Sequence, residues 1–170
     1  MVEHERRRTA ASRVRRLLDG APGVTQRQAI GAVVTVTRLA LDQLVNDREL
    51  FAQAIDRVED WLAGAVGDDS LALMRADIAA AATRADREDD RGAWLAMEAV
   101  VSLLDAALSR DPWAIGQRGW RAVMCAAESM AWPDVDAPEI FDEVDARLHH
   151  ALDRSGAPDG AETRVSVAQR

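Results

Sequence analysis

Apolar residues recur along this chain at intervals of three and four, and the densest stretch is Ala29 to Val45, AIGAVVTVTRLALDQLV. Ile30 to Thr37 is rich in β-branched side chains, which suits a buried strand. Length argues otherwise, because the apolar character continues through Leu39, Ala40, Leu41, Leu44 and Val45, past the ~4–8 residues of a typical strand. Just upstream, Thr25 and Gln28 form a capping box: the Thr oxygen accepts the N3 amide and the Gln side chain reaches back. Gly31, Thr35, Arg38 and Asp42 share one narrow stripe, which leaves most of the circumference apolar and in need of cover on several sides. The pattern predicts a central helix over residues 26–45, with a strand as the minority alternative.

The remaining pattern predicts amphipathic helices that need a partner for one face. Residues 3–18 place Ala10, Val14, Leu17 and Leu18 together, and Gly20-Ala21-Pro22-Gly23 ends that helix. After the central segment, Asn46-Asp47 is a cap, and Phe51, Ala54, Ile55, Val58, Leu62 and Ala65 form a buried stripe that stops at Gly67. Asp68-Asp69-Ser70 starts the next helix, with Leu71, Met74, Ile78, Ala82 and Ala85 inward. Asp89 or Asp90 caps a fifth, with Ala93, Met97, Val100, Val101, Leu104 and Leu108 inward and Arg91, Glu98, Ser102, Asp105 and Ser109 opposite. Asp111-Pro112 opens a sixth, which buries Trp113, Gly116, Trp120, Val123, Met124 and Ala127 and ends at Trp132-Pro133. Pro138 opens a seventh, with Ile140, Phe141, Val144, Leu148, Ala151 and Leu152 on its inner face.

These elements make an all-α, single-domain bundle of about seven helices around a central apolar helix. Its expected organisation is a basic helical arm and turn over 1–23, the bundle over 24–154 and a disordered tail over 155–170. A chain of 170 residues can bury ~70% of its unfolded surface, enough for one self-sufficient core.

Charge narrows the function classes. The formal net charge of −8 argues against a nucleic-acid partner and against an anionic membrane surface. The central segment carries Arg38 and Asp42 and lacks the ~18 uncharged residues of a membrane span. Six arginines between Arg6 and Arg16 make the first segment net positive, but without interleaved aromatics they read as a solvated face. The N-terminus has no continuous apolar core of the secretory kind, and the single cysteine, Cys125, fits a reducing compartment, so a cytoplasmic location is expected. Every basic residue is arginine and tyrosine is absent, which excludes a Schiff-base lysine, a phosphate-binding loop of the G-x-x-x-x-G-K type and a tyrosine general acid.

No catalytic set emerges, and no cofactor is implied. Asp145 and His149 stand at i, i+4, but two ligands are too few for a metal, and a histidine bonding helix-end carbonyls is the simpler reading. Asp56-x-x-Glu59 and Glu139-x-x-Asp142 approach the paired carboxylates of all-helical pyrophosphatases without completing the set. Cys125 reads as a small side chain at the edge of the core.

The feature that invites a function is acidic. Asp134, Asp136, Glu139, Asp142, Glu143 and Asp145 place six carboxylates in twelve residues with no basic residue among them. A solvated helix start accounts for such acids, which the helix dipole favours. A docking face for a basic protein accounts for them as well, since concentrated charge speeds encounter and rejects wrong partners. Trp132, which leads into the segment, joins it as a candidate anchor.

The apolar helix leading into LVNDRELF, the tryptophan-bearing IDRVEDWL and the segment GAWLAMEAVVSLLDAAL together cover about half of the chain. In these segments the chain resembles the YjaG-like all-helical bacterial proteins, a family without an assigned function, so the resemblance implies a fold and no activity. The expected function is a non-catalytic protein-interaction module, of which an immunity-type or regulatory inhibitor is one form. The alternatives are a metal-dependent hydrolase with scattered carboxylates and a homo-oligomer that completes its core across a subunit interface.

Overall fold

The computed structural model of this chain describes residues 24–133 and 138–156, and among them every regular element is helical. In chain order these are α1 (Gln26–Leu39), a 3₁₀ turn (Ala40–Gln43), α2 (Arg48–Leu62), α3 (Asp68–Arg87), α4 (Arg91–Leu108), α5 (Pro112–Ala131) and α6 (Pro138–Gly156). The helix expected over 3–18, most of the tail expected from 155, and the carboxylates Asp134 and Asp136 lie outside the described residues.

Local chemistry sets three of the six starts. Thr25 accepts the Gln28 amide at 3.2 Å, and the Gln28 side chain accepts the Thr25 amide at 2.7 Å, closing the capping box that opens α1. Asp90 caps α4 through the Ala93 amide, and Asp111 caps α5 through the Trp113 and Ala114 amides, with Pro112 at the first helical position.

Two punctuation marks differ from their sequence reading. Asp47 precedes α2, yet its side chain caps nothing; it takes a left-handed backbone (φ 57°) and its carboxylate accepts from Arg84 at 3.2 Å. The left-handed residue that closes α2 is Gly64 (φ 79°), while Gly67 is extended and stands before α3. The α2 stripe accordingly ends at Leu62, and Ala65 is exposed.

The central segment also departs from its pattern. Its α-helix stops at Leu39, one 3₁₀ turn follows, Leu44 is extended and buried, and Val45 stands 92% exposed. Helix α1 packs against α2, α4, α5 and α6. The most enclosed helix is α4, with eleven of its eighteen residues buried against seven of fourteen in α1. Helices α3 and α5 flank α4 on two sides, and α1 and α2 complete its cover. Phe51, Ile55, Leu71, Ile78, Met97, Leu103, Leu104 and Leu148, all fully enclosed, form a core drawn from α2, α3, α4 and α6, to which α1 adds the smaller Val33 and Val36. On its inner face α5 instead presents Gly116, Gly119, Ala122, Ala126 and Ala127, small residues that allow close approach to α4.

Candidate partner-binding surface

Helix α6 lays Phe141, Val144, Leu148 and Leu152 against the bundle, which turns Glu139, Asp142 and Glu143 outward. Glu143 accepts from Arg147 one turn on, at 3.1 Å. Asp145 differs from these three, because its side chain is only 15% exposed and its Oδ1 lies 3.5 Å from His149 Nδ1. That nitrogen donates to the Asp145 carbonyl at 2.8 Å, so the histidine serves its own helix. The acidic face expected from Asp134 to Asp145 therefore loses Asp145: a helix turns by 100° per residue, and this position falls toward the core side.

Trp132 stands at the C-terminal end of α5, 45% exposed, with the following Trp132–Pro133 peptide cis. One edge of its indole lies on the first turn of α4, where a Cβ on Gly92 would come within 3.3 Å of Trp132 Cδ1. Ser129 Oγ donates to the Gly92 carbonyl at 2.9 Å and ties the same two helix ends together. The indole thus rests on a fixed floor and offers its other side to solvent.

The other tryptophans have different settings. Trp61 Nε1 donates to Asp68 at 2.9 Å while the Arg27 guanidinium lies 5.4 Å from its ring. Trp94 carries Arg91 at 3.9 Å, and Trp120 packs against the core. Trp113, expected inside, is 68% exposed, because α5 starts at the rim and its first turn extends past the core.

A concavity lies between α3, α4 and α5. It has a volume of about 500 Å³ and is lined by Arg75, Arg118, Arg121, Trp94, Glu98 and Asp105 among others. Four of its six charged side chains pair with one another. Arg75 grips both oxygens of Asp105 at 2.5 and 3.2 Å, and that hydrogen bond holds the guanidinium above its ordinary value. Arg121 reaches Glu98 at 2.8 Å, and Arg118 donates to the Asp105 carbonyl at 2.9 Å. Ser102, expected on the solvent side, is only 4% exposed and lines this cleft. A ligand entering here would have to displace formed ion pairs, which makes the cleft a brace between three helices before it is a site.

Several of the residues weighed for catalysis have other roles. Asp56 and Glu59 both clamp Arg38, each at 2.9 Å, across α1 and α2. Burial pushes the Cys125 thiol up to about 11, against the nearby positive charge of Arg121. Among the described residues no three His, Cys, Asp or Glu side chains gather closely enough to hold a metal ion, and no helix is long and apolar enough to cross a membrane.

Compared with family models, with curated proteins and with solved structures, the chain matches none. These comparisons do not bear on the YjaG-like resemblance.

Proposed function

We propose that this protein is a non-catalytic interaction module that docks a basic partner protein on the surface formed by Trp132 and the outward carboxylates of α6. The observation that carries this reading is the seat of Trp132. An indole held on one side by Gly92 and open on the other loses little freedom when a partner covers it, and such aromatics dominate interface energetics. Glu139, Asp142 and Glu143 supply the acidic rim; Asp134 and Asp136, outside the described residues, precede them in the sequence. Asp145 has no part in this surface. A regulatory or immunity-type inhibitor acting in the cytoplasm is the form of module we propose, since it needs a rigid charged face and no reaction centre.

The test is affinity capture from cells of the source organism with three baits: the unaltered chain, Trp132→Ala, and Glu139→Gln with Asp142→Asn and Glu143→Gln. The principal captured protein is expected to fall at least tenfold with either altered bait and to weaken as salt rises, because rim charges are screened. Equal recovery on all three baits at high salt overturns the reading.

A further inference from the structure

Helix α3 (Asp68–Arg87) packs against α2 and α4 through Leu71, Ile78, Ala81, Ala82 and Ala85. Among the described residues no helix covers its opposite side, and there Leu73 is 72% exposed, one of four large apolar side chains exposed among those residues. At 100° per residue, Asp69, Leu73, Ala76, Ala80 and Arg87 fall on one stripe directly opposite the buried face, and all are exposed. Asp69 and Arg87 are eighteen residues apart, about five full turns, so they point the same way ~27 Å from each other. Neither makes an ion pair among the described residues, whereas Asp68 binds Arg110 and Arg84 binds Asp47. The helix dipole explains an acid at the start and an arginine at the end. It does not explain why both share the outward stripe, or why a leucine stands between them.

We propose that this face of α3 is an interface with a second copy of the chain, the two helices lying antiparallel about a two-fold axis. The occupant follows from the charge pattern. In an isologous contact, residue i of one copy meets j of the other, and j meets i. With the axis over residue 78, Asp69 of each copy meets Arg87 of the other, Leu73 meets Thr83 and Ala76 meets Ala80. Small side chains at the centre let the backbones approach, and the two end pairs fix direction and register. A parallel pairing would set Asp69 on Asp69 and Arg87 on Arg87. This inference does not depend on the surface at Trp132.

The experiment is sedimentation and light scattering of the full chain over a wide concentration range, with circular dichroism as a check on folding. The unaltered chain is expected to move from 18.5 kDa toward twice that mass as concentration rises. Asp69→Arg and Arg87→Glu each place like charges at both ends and should weaken the dimer by about tenfold or more. Mixed together, these two variants restore both end pairs and should dimerise with each other. Ala76→Trp, which blocks close approach, should stay monomeric. A chain that holds 18.5 kDa throughout overturns the proposal, as does a dimer indifferent to all three substitutions. Failure of the mixed variants to associate while the unaltered chain does overturns the antiparallel pairing.

Discussion

At the scale of single residues, the least visible chemistry is also the most measurable. Cys125 is the only cysteine, and the chain has neither lysine nor tyrosine, so between pH 9 and 11 no other side-chain type titrates. Its thiol stands near pH 11 in the fold against an ordinary value of 9.0, because burial penalises the thiolate. The unfolded chain therefore loses this proton first. The stabilising contribution is complete below pH 9 and disappears as pH rises through 11, a change of up to ~3 kcal/mol. Urea unfolding should show stability falling across that window, and Cys125→Ala should flatten the slope; an unchanged slope rejects the assignment. Two buried hydroxyls make a second contrast. Thr37 Oγ1 donates to the Val33 carbonyl of its own helix, a group that also serves the helical ladder, whereas Ser129 joins α5 to α4. Thr37→Val should be nearly neutral in chemical denaturation, while Ser129→Ala should cost about 1 kcal/mol and loosen Trp132, visible as a shift in its fluorescence.

At the scale of elements, what could be read in advance depended on how local its cause was. The Thr25–Gln28 box and the Asp90 and Asp111 caps were legible because acceptor and amide lie within three residues. Asp47 was misread as a cap because its carboxylate binds Arg84, thirty-seven residues on, which no local pattern encodes. The break at Leu39 was missed for a related reason: Leu41 and Leu44 continue the apolar content, but the chain must turn to begin α2, and a 3₁₀ turn seats Leu44 while Val45 faces water. The acidic segment was legible as composition, yet only the packing of α6 separates Asp145 from Glu139, Asp142 and Glu143. Gly92 as the floor beneath Trp132 had no signal in the sequence at all. The loops that end the helices give a direct test. Gly64 at φ 79° has nothing within 4 Å of a built Cβ, so Gly64→Ala should cost ~1 kcal/mol from backbone strain alone. Asp89 at φ 57° is exposed and occupies a conformation that glycine adopts freely, so Asp89→Gly should raise stability by about 0.5 kcal/mol. Thermal unfolding of the pair should move in opposite directions; a common direction would mean that lost contacts, not backbone angles, set these helix ends.

At the scale of the whole molecule, the helices are not held equally. Ion pairs between elements brace α1 to α2 through Arg38, α3 to α4 through Arg75, and α4 to α5 through Arg121. Each is partly exposed and worth little alone, but two of the three end on the enclosed helix α4, at Asp105 and Glu98. Helix α6 packs on α1 and α5 through one apolar edge, and its Glu143–Arg147 pair is internal to the helix. Local opening free energy follows the density of buried contacts, so native-state hydrogen exchange should separate these two helices. Amides from Leu95 to Leu104 should exchange only through global unfolding, whereas those from Val144 to Leu152 should open ~1–2 kcal/mol earlier. Leu104→Ala, which leaves a cavity in the fully buried centre of α4, should cost about 2–5 kcal/mol and lower both sets together. Leu152→Ala, nearer the end of α6, should lower the second set alone. Were α6 to exchange at the global limit and fall with α4 in every variant, its docking would belong to the same cooperative unit as the centre. The acidic rim would then ride on the most stable part of the bundle, with no freedom to adjust to a partner.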